Sequence, residues 1–123
     1  MPKGIGVDIV SVSRIKEALE RNEGFAERIL TELEVQRMHE VAQKAHFVAK
    51  RFAAKEAVVK ALGNGIGNGI DWHQIEVSND EKGAPLVKLK GRALELMHEK
   101  GGTECLLSLS DEHENAIAFA ILS

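Results

Sequence analysis

Lys50-Arg-Phe-Ala-Ala-Lys-Glu-Ala-Val-Val-Lys-Ala-Leu-Gly63 is the stretch on which the fold turns. Ala, Leu, Lys, Arg and Glu are strong helix formers, and Gly63 supplies the left-handed residue on which helices commonly end. Val48, Phe52, Val59 and Leu62 recur at helical spacing and predict an apolar stripe. One acid, Glu56, stands among four cations: Lys50, Arg51, Lys55 and Lys60. Arg51 and Lys55 are four residues apart, as are Glu56 and Lys60, so each pair shares a side of the helix. On a solvated face such pairs contribute only roughly a few tenths of a kcal/mol. The sharper alternative is a polyphosphate site in which Glu56 holds a metal ion and the cations hold phosphate oxygens. That alternative needs a second carboxylate from elsewhere in the chain.

A chain of 123 residues with 44% hydrophobic content suits one globular domain, 1–123, with its own core. No apolar run is long enough for a transmembrane helix, and the N-terminus lacks signal-peptide features. The one cysteine, Cys105, cannot form an internal disulfide, which fits a reducing cytoplasm. Net charge is −3, against general nucleic-acid binding. Its distribution is uneven: Lys44 to Lys60 holds five cations and one acid, and the remainder holds 11 basic and 18 acidic residues. Positive charge concentrated on one helix suits a small, highly charged anion.

Gly4 to Val12 is a β-branched run that predicts a buried strand, with Asp8 at its centre. Period-2 alternation puts Asp8 on one face with Gly4, Gly6 and Val10, opposite Val7 and Ile9. A carboxylate inside an apolar strand must be paired, hydrogen-bonded or metal-bound. Asp8 therefore serves either as a structural carboxylate or as the missing second ligand. Ser11 or Ser13 caps a helix running to about Asn22, on whose line Arg14, Arg21 and Arg28 recur every seven residues. With Glu17, Glu20, Glu23 and Glu27 interleaved, that line is a solvated face or a docking stripe for an acidic protein.

Thr31-Glu32-Leu33-Glu34 is a capping box opening a helix to about Ala42, and the organising helix is expected from His46. Four glycines lie between Gly63 and Gly69, in a loop that serves as plain turn chemistry or as close backbone approach to a ligand. Strands are expected at 75–77 and Pro85–Leu89 as one hairpin, and at Glu104–Leu109 and Ala116–Leu122 as another, with a helix at Gly91–Lys100 between them. The order is strand, three helices, hairpin, helix, hairpin. It predicts an α+β fold with a largely antiparallel sheet and helices packed on one face.

Three segments together, Gly4-Ile-Gly-Val-Asp8-Ile-Val10, Arg51 through Gly63, and Leu107-Ser-Leu-Ser-Asp111 with the Ala-rich strand after it, carry a family resemblance. The chain resembles the holo-[acyl-carrier-protein] synthases, the short single-domain branch of the 4′-phosphopantetheinyl transferases, along its whole length. The resemblance implies transfer of the 4′-phosphopantetheine arm of coenzyme A, a substrate, to a serine of apo acyl carrier protein. It implies Mg²⁺ held by Asp8 and Glu56, Lys60 on the pyrophosphate or leaving group, and Glu56 as the base. It further implies coenzyme A contacts at Arg51, Gly63, Gly67 and Ser110, beside Lys55 from the charge reading, a homotrimer with its active site at the subunit boundary, and carrier docking at Arg14, with Lys16 and Arg21 nearby. One position departs: many members have His where this chain has Asp111, so no His role is assigned there. The rival reading is a coenzyme A or nucleotide-binding module that does not turn over.

Overall fold

The computed structural model describes all 123 residues. Strand β1 (Gly4–Ser11) leads into helices α1 (Val12–Arg21), α2 (Phe25–Ile29), α3 (Glu32–Met38) and α4 (Lys44–Ala61). A 3₁₀ turn at Trp72–Gln74 precedes β2 (Ile75–Asn79) and β3 (Pro85–Leu89), after which come α5 (Gly91–Glu99), β4 (Cys105–Asp111) and β5 (Asn115–Leu122). The expected α+β order holds with one addition, since the segment after Gly24 forms the separate short helix α2. No helix is long and apolar enough to cross a membrane.

Every strand pairing is antiparallel. Strands β1, β5 and β4 form a three-stranded sheet in that order, with Asp8 opposite Ala118 and Leu109 opposite the same Ala118. Strands β2 and β3 pair as a separate hairpin, with Val77 opposite Val87. The local signals act as read: Ser11 caps α1, and Thr31 with Glu34 completes both halves of the capping box. At the end of α4, Gly63 takes φ 74°. Its N–H reaches the Lys60 carbonyl and that of Asn64 reaches Val59, closing a Schellman motif.

Helix α4 is the spine. Its N-terminal part packs Phe47, Val48 and Ala49 into a cluster with α1, α2 and α3, while Ala53 through Leu62 pack between the sheet, the hairpin and α5. Against the sheet the contact is made of small residues. Ala57 and Ala61 of α4 meet Gly4 and Gly6 of β1, and Ala118 and Ala120 of β5 are fully buried beside them. A Cβ built on Gly4 would overlap the Ala61 carbonyl oxygen, and one on Gly6 that of Ala57. Glycine is required at both positions by backbone approach rather than by φ.

Two expectations are corrected here. Strand β1 is buried on one face only: Ile5, Val7 and Ile9 are 56–64% exposed, because the helices cover just the face carrying the glycines and Asp8. In addition, α4 does not present one basic face. Lys55, expected to contact coenzyme A, is fully buried, with all three N–H groups used. Its Nζ donates to Glu34 Oε1 at 2.6 Å, to the Ile29 carbonyl at 2.7 Å and to the Trp72 carbonyl at 3.0 Å. Glu34 also accepts from the N–H groups of Thr31 and Val77, and the Thr31 hydroxyl donates to Glu76. This satisfied network ties α2, α3, α4, the 3₁₀ turn and β2 together, and it leaves Lys55 no proton for a phosphate.

Removing one partner of such a pair strands a buried charge. Lys55→Met is therefore expected to lower the unfolding free energy by about 3–5 kcal/mol in urea denaturation, and the double change Lys55→Met with Glu34→Leu to recover much of that loss. A single-variant cost below about 1 kcal/mol would show that the network is not a fastener.

Candidate active site

Tight packing of α4 on β1 brings together three side chains that lie far apart in the sequence. Asp8 points from the covered face of β1, and Glu56 and Lys60 come from successive turns of α4. Lys60 Nζ donates to Asp8 Oδ1 at 3.1 Å and to the Val7 carbonyl at 2.9 Å. Asp8 Oδ2 is buried and has no hydrogen-bond partner. A buried carboxylate oxygen without a donor is costly unless a cation or a donor is supplied to it. Burial pushes the Glu56 carboxyl above its usual range, the Asp8 charge adds to that, and Lys60 opposes it. Two carboxylates at one point, one oxygen unpartnered, form a donor set of hard oxygens that suits a divalent cation. No group of three or more His, Cys, Asp or Glu side chains converges anywhere in the chain. The protein thus offers two carboxylates, and phosphate or water must supply the other ligands.

Arg51 lies elsewhere on α4. Its guanidinium is buried, stacks over the Phe47 ring at 4.4 Å and donates from Nη2 to Asn79 Oδ1 at 3.0 Å, while Nε has no partner. It borders a cavity of about 480 Å³ together with Arg37, Lys50, Asn79, Pro85 and Asp111. Lys50 and Asp111 face each other there at 3.6 Å. The sequence marked Lys50 only as one of four phosphate-holding cations and gave no sign of Arg37, because only the approach of α3, α4 and β4 puts the two at one cavity. Lys50 did carry a signal: it is part of the run of cations on α4.

The remaining expected residues are dispersed. Gly63 and Gly67, at φ 74° and 113°, belong to the loop that leaves α4 one turn after Lys60. Ser110 is exposed and pairs with Ile117, so it stands on the face of the sheet opposite Asp8 and does not join the Asp8 cluster within one chain. Arg14, Lys16 and Arg21 are exposed along α1 and enter no ion pair.

A sequence model of the 4′-phosphopantetheinyl transferase superfamily matches residues 4–120, a span that includes Asp8, Glu56 and Lys60. The chain belongs to that superfamily. Its relatives there include holo-[acyl-carrier-protein] synthases. The one from Shewanella amazonensis is 50% identical over 120 residues, covering 97% of this chain and 96% of its own. The crystal structure of the Neisseria meningitidis synthase superposes with a TM-score of 0.90 at 37% identity, covering 100% of this chain and 99% of that one. The Helicobacter pylori synthase, solved in complex with coenzyme A, gives a TM-score of 0.84 at 35% identity, with 97% and 99% coverage.

In the metal-free transferase, Glu56 carries a testable cost. A carboxyl raised in the folded state holds its proton more tightly there than in the unfolded chain, so stability falls as pH rises through the interval between the two values. Glu56→Gln, melted in excess EDTA across a pH series, is expected to be more stable than wild type above the ordinary carboxylate range. The advantage should vanish below that range. A less stable variant at neutral pH would mean that attraction to Lys60 outweighs burial.

Proposed function

We propose that this chain transfers the 4′-phosphopantetheine group of coenzyme A to a serine hydroxyl of apo acyl carrier protein and releases adenosine 3′,5′-bisphosphate. One observation carries the proposal: Asp8, with its unpartnered buried oxygen, meets Glu56 and Lys60 in a chain of this superfamily. The superfamily relatives named as synthases, and the one solved with coenzyme A, support the substrate pair.

Asp8 and Glu56 would hold Mg²⁺. When bound, that ion would polarise the β-phosphate and neutralise charge on the departing oxygen. In the transfer, the serine oxygen bonds to the β-phosphorus, and the bond from that phosphorus to the bridging oxygen breaks. The electron pair leaves with adenosine 3′,5′-bisphosphate, and the serine proton passes to Glu56. Burial already lifts the Glu56 carboxyl toward neutrality, which makes it a better proton acceptor than an exposed glutamate. Lys60, with its ammonium half exposed beside Asp8, supplies positive charge to the diphosphate. Arg51 borders the cavity with Lys50, a place of the right charge for the nucleotide's phosphate end. Gly67 leaves its backbone open to a coenzyme A arm, and Gly63 lies beside the Lys100 side chain, whose ammonium adds positive charge there. The exposed cations Arg14, Lys16 and Arg21 complement an acidic carrier, chiefly by raising its rate of association. A lone half-buried thiol, pushed up to about 11 by burial, fits a protein working in the cytoplasm without a disulfide.

The working unit is a homotrimer with the site shared between copies. The outer face of the three-stranded sheet supports this, because Ile5, Val7 and Ile9 of β1, Ile117 and Phe119 of β5 and Leu106 of β4 form one exposed apolar surface. A surface of this kind marks an interface. Ser110 stands on that same face, turned away from the Asp8 cluster of its own chain, so a neighbouring copy would have to bring a site to it.

The first test is to incubate the protein with apo acyl carrier protein and coenzyme A, with Mg²⁺ or excess EDTA, and to weigh the carrier by mass spectrometry. A gain of one phosphopantetheine is expected only with metal, and neither Asp8→Ala nor Glu56→Ala should produce it. Coenzyme A binding with no gain under any condition would favour a non-catalytic binding module. A second test targets the assembly. Val7→Asp with Phe119→Glu is expected to sediment as a monomer and lose turnover; a trimer that survives both charges would place the interface elsewhere.

A further inference from the structure

Lys60 is the cation that holds Asp8 in this structure. Its ammonium bridges Asp8 Oδ1 and the Val7 carbonyl, so that the strand's one acid is neutralised by the helix. The two partners differ in freedom. The Asp8 side chain is 15% exposed and sits on a paired strand, while that of Lys60 is 51% exposed on a flexible stem. Glu56, one turn before Lys60, feels the charge of both.

We propose that Lys60 is an exchangeable counter-ion: it holds Asp8 until a divalent cation takes the carboxylate pair, and it is thereby released to the diphosphate of coenzyme A. The proposal rests on the transferase reading above. A cation bound between Asp8 and Glu56 competes with the ammonium for the same carboxylate and repels it at close range. Released alone, the ammonium gains only water. Released beside a bound diphosphate, it gains a new anionic partner within reach of its stem. Metal and coenzyme A therefore raise each other's affinity, by the same factor in either order of addition. Asp8 meanwhile never stands as an isolated buried charge, which is why a metal-free chain can keep this site folded. A fixed Lys60 that merely orients Asp8 would leave the opposite signature, since removing it would weaken metal binding instead of strengthening it.

The test uses the full chain without carrier protein. Mn²⁺ binding is titrated by electron spin resonance for wild type and Lys60→Met, with and without coenzyme A. In parallel, trace acetylation of Lys60 is followed by mass spectrometry, with Asp8→Asn as a control in which the ammonium has lost its anchor. Exchange predicts that Lys60→Met binds Mn²⁺ several-fold tighter than wild type without coenzyme A, and that the gain in Mn²⁺ affinity from coenzyme A shrinks in that variant. It predicts that Lys60 acetylation rises with Mn²⁺ alone, falls again when coenzyme A is added, and is high in Asp8→Asn without metal. Weaker or unchanged Mn²⁺ binding by Lys60→Met, or acetylation that ignores Mn²⁺, overturns the exchange while leaving the transferase reading intact. Wild-type protein that binds neither Mn²⁺ nor coenzyme A overturns both.

Discussion

The distance between β1 and α4 governs this molecule. Gly4 and Gly6 have no side chain to hold the helix off, and Ala57 and Ala61 answer them from the helix. The backbones meet so closely that a single methyl group on either glycine would overlap a helix carbonyl. Small residues gain little from their own burial, about 0.8 kcal/mol per CH₂. Their value lies in position. They set Asp8 against Glu56 and Lys60, which a larger residue at position 6 would push apart.

That approach also explains the division of charge along α4. A helix packed on a sheet, a hairpin and four other helices has almost no free surface, and its cations have had to find separate roles. Lys55 is spent inside, where Glu34 and two carbonyls absorb its three protons. Arg51 is buried beside Phe47 with one N–H unused. Lys50 faces Asp111 across the cavity, and Lys60 stands at the edge of the sheet on Asp8. At that cavity Asp111 holds the Lys50 ammonium.

The sheet itself is two-sided in function. One face is sealed by α4 through Ala116, Ala118 and Ala120, all fully buried. The other shows Phe119 and its isoleucine neighbours to solvent, an apolar surface that a chain standing alone does not need. Asp8 and the exposed Ile5, Val7 and Ile9 alternate along one strand, so whatever covers that apolar face would also bear on the position of Asp8.

Much of this was legible in the residues. Local chemistry determined the caps at Ser11 and Thr31, the helix end at Gly63, both hairpins and the facing of Asp8 with Gly4 and Gly6, because each depends on neighbours within a few positions. The sequence also singled out Asp8, Glu56 and Lys60, since an acid in an apolar strand and a lone acid in a basic helix are both exceptional. It could not say which cations of α4 face inward. Lys55 and Lys60 look alike in composition and spacing, and only the arrival of Glu34 from a separate helix separates a buried fastener from an exposed ligand group. Nor did alternation reveal that Ile5, Val7 and Ile9 are left uncovered, because an apolar face reads the same whether a helix or another chain is to cover it. Periodicity reports what a side chain prefers; which surface meets it is decided by contacts between segments distant in the chain.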